Sequence, residues 1–205
     1  MALLGLLLLS GAHAQTLRHD QIAPGTFLVA PRKALDPNFA ETVVLIVQYD
    51  EESTMGLIIN QPSRGNVAQL FPKRKALVSE RVFIGGPVGR SGMLGLLRSK
   101  TKPPDAEHIF ANIYLVADKK LFDKSLVPGA ENKNFRVYLG YTGWAPGQLE
   151  EELNNDLWHL FDGDPRAVFD PAPENIWPRL VRLTELNIAR VFPNPVRNAL
   201  YRKYK

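Results

Sequence analysis

The sequence predicts an α+β domain built on a bent, mainly antiparallel sheet. Three observations lead there. Apolar runs of strand length outnumber segments of helical periodicity. Neighbouring runs are joined by short polar or glycine turns, as in hairpins, rather than by the long crossovers of parallel βαβ units. Residues 42–49, TVVLIVQY, are β-branched and almost wholly apolar, which places them in a central strand covered on both faces.

The elements follow in order. Residues 26–30, TFLVA, form a short strand, and LDPNF (35–39) is a turn in which Pro37 fixes its own φ and extends Asp36. TVVLIVQY and MGLIINQ (55–61) make a hairpin across a polar turn, and Pro62 ends it because proline cannot donate to a ladder. Asn66 starts a short helix. KRK (73–75) is a surface charge run. RVFIGGPV (81–88) and MLGLLRS (93–99) read as a second hairpin around GRSG, followed by an exposed TKPPDAE loop. HIFANIYLVA (108–117) is one strand, Asp118 caps a helix, and FRVYLGYTGW (135–144) is a further strand. A helix then opens at Pro146, with Leu149, Leu153, Leu157 and Leu160 on one stripe and Trp158 nearly opposite it. Asp164 caps a turn. A last helix begins near Pro173, and Pro178 should kink it or delay its start.

The ends carry different signals. Residues 2–9 are apolar and Ala12-His13-Ala14 precedes Gln15, the pattern of a signal peptide cleaved after Ala14, although no Lys or Arg precedes the apolar run. That run is shorter than the roughly 20 residues a membrane helix needs. The reading is therefore a leader at 1–14, one domain at 15–186 and a basic tail at 187–205, with a periplasmic or secreted product; a leader that does not function leaves it cytoplasmic. Lys and Arg number 25 against 21 Asp and Glu, but five cations and no acid lie in residues 187–205. The rest carries 20 cations against 21 acids, which argues against a nucleic-acid platform. The tail itself suits anionic surfaces. With no cysteine, disulfides, thiolate metal sites and Cys nucleophiles are excluded.

Little in the chain reads as catalytic machinery. Glu150 and Glu152 flank the leucine stripe, and acids in a first helical turn are explained by the helix dipole. A general base at either would need burial and a partner. GGPVGRSG (85–92) lacks the Walker ending and reads as turn geometry. The four histidines show no zinc-protease spacing, and no G-x-S-x-G elbow occurs.

The blocks FLVAPRKALDPNFAETVVLIVQYDEESTMGLIINQPS, VFIGGPV and GYTGWAPGQLEEEL with the following DLW resemble the YqgE/AlgH family of bacterial proteins. The resemblance implies an α+β fold whose bent mixed sheet forms a pseudo-barrel flanked by helices. It implies no established activity, cofactor or metal. Some members carry a transcriptional-regulator label. The motif positions here include Asp36, Pro37, Asn38, Phe39, Gly56, Asn60, Gly85, Gly86, Pro87, Gly143, Trp144, Gln148, Glu150 and Glu152. Gln61 and Leu97-Arg98 depart from the family pattern, where a basic residue and Leu-His are common.

Three functional expectations follow. The first is a non-enzymatic binding protein with an unidentified protein or small-molecule partner, using a surface formed by Asp36, Asn38, Asn60, Gly85, Gly86, Pro87, Trp144, Gln148 and Glu150. The second is an enzyme in which Asn60, Gln148 and Glu150 or Glu152 converge on a cleft. The third is the regulator label taken literally, which requires a cytoplasmic location.

Overall fold

The computed structural model describes residues 22–73, 81–127 and 134–191. The leader at 1–14, its cleavage point after Ala14, Arg74 and Lys75 of the charge run, and the tail from 192 onward lie outside the described residues. The strands are β1 (Thr26–Val29), β2 (Val43–Tyr49), β3 (Thr54–Ile58), β4 (Pro62–Asn66), β5 (Arg81–Ile84), β6 (Val88–Arg98), β7 (Glu107–Phe110), β8 (Ile113–Val116), β9 (Phe135–Trp144) and β10 (His159–Asp162). The α-helices are α1 (Val67–Leu70), α2 (Lys119–Ser125), α3 (Gln148–Asn154), α4 (Pro165–Val168) and α5 (Ile176–Val191). Single-turn 3-10 helices occupy Pro37–Phe39 and Pro173–Asn175.

The sheet is curled, a half-barrel in the order β10-β1-β2-β3-β9-β6-β8-β7, with β4 and β5 branching from it. β9 is the hub. Its 135–141 stretch pairs antiparallel with β6 on one edge. On the other edge it pairs first with β5, in parallel, and then with β3. Gly85 sits at that hand-over: its N–H donates to Leu139 O and its O accepts from Ile58 N, both at 2.8 Å. A Cβ on Gly85 would lie 2.3 Å from Gly140 O, and one on Gly86 2.2 Å from Tyr141 O. The glycine pair thus lets β5 and β3 share one edge of β9 at a backbone approach no side chain permits.

β2 is buried on both faces, as its composition requires. Val43, Leu45 and Val47 face a core closed by Trp177 and Val181 of α5. Val44 and Ile46 face a second core closed by Leu149 and Leu153 of α3, with Trp144 and Trp158. A third core lies under α2, where Phe122 and Leu126 meet Leu97 and Phe135. The predicted caps form: Asn66 and Gln69 make a reciprocal capping box, Asp118 accepts from Leu121 N, and Asp164 accepts from Arg166 N.

Several expectations are corrected. The 81–88 and 93–99 strands are not a hairpin: β5 pairs with β4 and β9, whereas β6 pairs with β8 and β9. GRSG sits inside β6, where the register shifts between Val88 and Met93. Residues 108–117 are two strands, β7 and β8, reversing at Ala111, whose φ is 47°. Pro62 opens β4 rather than merely ending β3, a position where its missing N–H costs no ladder bond. The helix after β9 does not run through the leucine stripe. It begins at Gln148 behind Gly147 (φ 78°), stops at Asn154, and reverses at Asp156 (φ 55°), leaving Leu160 in β10. Two periods therefore fused into one apparent stripe: helical through Leu153, then strand. The delayed start expected from Pro178 is present: a 3-10 turn fills Pro173–Asn175 and the α-helix begins at Ile176, so that Pro178 lies in its first turn, where its N–H would have no intrahelical partner. Helix α5 also runs to Val191, past the expected edge of the tail.

Candidate functional site

The DPNF and GWAPGQLEEEL motif segments converge on one corner of the second core. Trp144 ends β9 and is 4% exposed. Glu152 stands on α3, one turn beyond Gln148. Its Oε2 accepts the indole N–H groups of both Trp144 and Trp158, each at 2.8 Å. Its Oε1 accepts from Gln148 Nε2 at 3.0 Å. Gln148 Oε1 in turn accepts from Ala145 N at 3.1 Å, holding the turn that leads into the helix. The two indoles meet edge-on with centroids 6.2 Å apart, and Trp158 meets Phe39 the same way at 5.3 Å.

The DPNF turn supplies Phe39. Asp36 Oδ1 accepts from Asn38 N at 2.8 Å and so starts the 3-10 turn, while Thr42 Oγ1 donates to Phe39 O at 2.8 Å. Behind it Glu41 adopts φ 57°, and Asn60 holds that strained link from within the core. Asn60 Nδ2 donates to Glu41 O at 2.8 Å, and Oδ1 accepts from Val43 N at 2.7 Å. Between turn and helix lies a cavity of about 110 Å³, walled by Ala34, Leu35, Phe39, Leu157 and Trp158, with Asp36 and Glu152 as its polar members. Leu35 is 83% exposed at the rim.

The remaining sequence-predicted residues are placed as follows. Gly85 and Gly86 are buried at the sheet branch, and exposed Pro87 follows them. Asn38 is exposed. Half-buried Glu150 accepts from Tyr49 Oη at 2.6 Å, and that hydrogen bond, with burial, raises the Tyr49 hydroxyl above its ordinary pKa and keeps it a donor. Asn60, Gln148 and Glu150 each have separate partners; none hydrogen-bonds another. Asn60 lies six residues along from Thr54, the residue paired with Trp144, which is roughly 20 Å of extended chain. Of the departures from the family pattern, Gln61 contributes its carbonyl to Ile84 N, and Arg98 stacks on Phe169 at 4.6 Å while donating to Pro165 O.

Sequence reasoning passed over Leu35, Leu157 and the joint role of Glu152. Trp158 was placed across a helix from the leucines, yet it is 6% exposed in their core. The i, i+4 spacing of Gln148 and Glu152 was the one signal in the chain. Nothing in the spacing of Trp144 and Trp158 shows that both reach one oxygen. Among the described residues no group of three His, Asp or Glu side chains is arranged to hold a metal ion, and no helix is long and apolar enough to cross a membrane.

Comparisons with known proteins agree with this architecture. A family model described as AlgH-like matches residues 27–189. A UPF0301 protein of Streptomyces coelicolor is 32% identical over 179 residues, covering 83% of this chain and 91% of the relative. A UPF0301 protein of Mycobacterium tuberculosis is 30% identical over 194 residues, covering 86% and 93%. Among solved structures, the AlgH protein of Pseudomonas aeruginosa is similar with TM-score 0.65 and 26% identity over 86% of this chain and 96% of that one. A Corynebacterium diphtheriae protein has the same fold with TM-score 0.66 and 24% identity over 81% and 89%.

Proposed function

The chain belongs to the AlgH-like family, and from that premise we propose that it is a non-enzymatic binding protein, acting after export, whose partner places one apolar group in the Trp158 pocket. One observation carries the reading. The motif side chains expected to carry chemistry are engaged within the chain: Glu152 with Trp144, Trp158 and Gln148, Glu150 with Tyr49, and Asn60 with two backbone groups, whereas Asn38 is exposed. What the corner presents outward is apolar wall and the exposed Leu35, with Asp36 at the rim.

The cavity of about 110 Å³ suits a single side chain; sites for whole metabolites run from about 300 to 1,000 Å³. The enzyme reading needs Asn60, Gln148 and Glu150 or Glu152 free and convergent, and their separate partners weigh against it. The regulator reading has no supporting basic recognition helix among the described residues.

Two experiments test the proposal. A photo-crosslinking residue at position 35, in cells of the source organism, should give a discrete adduct with one partner. Ala34→Arg, which fills the cavity, should abolish it without lowering the thermal midpoint. Absence of any adduct, or an adduct indifferent to Ala34→Arg, overturns binding at this pocket. N-terminal sequencing of the native protein tests export separately. A start at Gln15 supports it; an intact Met1 in the cytosol overturns it.

A further inference from the structure

The near-neutral charge of the chain outside residues 187–205 conceals a local concentration. Arg98 ends β6, Lys100 and Lys102 follow in the loop to β7, and Lys120 and Lys124 stand on α2 at i, i+4, on one face of that helix. Together with Asp105 they surround a basin of about 600 Å³. The basin lies beside the α2 core, on a different layer from the Trp158 pocket.

The four lysines are exposed, and none forms an ion pair with another described residue. Elsewhere the fold does pair its charges: Lys119, adjacent to Lys120, meets Asp123 at 2.7 Å, and Arg166 and Arg179 meet Asp164 and Asp170. Arg98 touches the rim through its backbone end, while its guanidinium is engaged with Phe169 and Pro165 O. Among the described residues, four lysines against one acid around a single concavity repel one another and raise the local concentration of anions.

We propose that this basin binds a small ligand carrying several clustered phosphates, of about nucleotide size. The volume falls within the usual range for small-ligand sites. Leu97, Leu121 and Phe135 provide an apolar floor beneath the cations. A single-stranded nucleic acid fits less well. Such strands are held by exposed aromatic platforms, and Phe135 is only 3% exposed.

Calorimetric titration of the full chain with inorganic tripolyphosphate, ATP and a thymidine oligonucleotide tests this. Tripolyphosphate and ATP are expected to bind saturably at one site. Tighter binding of ATP assigns the apolar floor to a base; equal binding assigns the site to phosphates alone. Lys100→Glu combined with Lys124→Glu should raise both Kd values at least about tenfold. Lys33→Glu, outside the basin, should leave them within about twofold. If the double variant loses its folded circular-dichroism signal, Lys102→Gln and Lys120→Gln serve instead. No saturable binding of either probe, equal weakening by Lys33→Glu, or binding of the oligonucleotide alone overturns the proposal.

Discussion

Trp158 donates its indole N–H to Glu152 Oε2 at 2.8 Å, and the same oxygen accepts the indole of Trp144. One carboxylate thus ties the end of β9, helix α3 and the approach to β10. Its charge is held by three neutral N–H donors, with no cation among the described residues paired to it.

Glu152→Ala leaves both indole donors without their acceptor. The expected loss is about 2–4 kcal/mol, since hydrogen bonds to charged groups are the stronger class and stranded donors are costly. Urea unfolding measures the loss, and a red shift of tryptophan emission in the folded state should accompany it. Glu152→Gln keeps one acceptor oxygen and should lose less. Equal stability of all three proteins would show that the carboxylate does not organise the corner.

Asn60 is predicted to be a structural clasp. Asn60→Ala removes both its bonds to the backbone and strands Val43 N and Glu41 O, at a cost of about 2–3 kcal/mol. Asn60→Asp can still accept from Val43 N but, when ionised, cannot donate to Glu41 O. Its stability should therefore recover relative to the parent as pH falls and the carboxyl protonates. Denaturation midpoints at several pH values decide this; a deficit independent of pH contradicts it.

His159 links stability to pH in the opposite sense. Burial lowers its pKa, with Asp156 and Glu185 partly opposing the shift. The folded state therefore prefers neutral imidazole more than the unfolded chain does. The contribution is fully present above the ordinary histidine range and is lost as pH falls through that range to the depressed folded value. Replacing His159 with Asn should flatten the stability profile in that window, and thermal melts across it provide the check.

The branch glycine and the corner glycine should differ. Gly85→Ala drives a methyl to within 2.3 Å of a backbone oxygen and should cost about 2–3 kcal/mol or block folding. Gly143→Ala meets nothing nearer than the Tyr141 ring at 3.5 Å, so its change should stay within about 0.5 kcal/mol. Chemical denaturation of both variants compares them directly.

Much of the fold was legible because its signals are local. A run such as TVVLIVQY is buried on both faces in any sheet that contains it, and caps such as Asn66, Asp118 and Asp164 act within three residues. The family motifs were legible too, and most of them prove to be sites of backbone geometry: the DPNF turn, the Asn60 clasp and the Gly85 branch. Pairing was not legible. Whether β5 joins β6 or β9 depends on contacts between segments about 50 residues apart, and hairpin reasoning favours the nearer neighbour by default. The leucine stripe misled for a related reason. Leu149 and Leu153 obey the helical period and Leu160 the strand period, and the αL residue Asp156 that separates them carries no strong sequence mark.

Residue type and short spacing were enough for the class of the domain, its central strand, its caps and its family. That Trp144 and Trp158 share Glu152, and that Lys100, Lys102, Lys120 and Lys124 line one basin, became visible only in three dimensions. Side chains meet there across turns and strand pairings, and neither one-dimensional spacing nor net charge encodes distances set by the closing of the sheet.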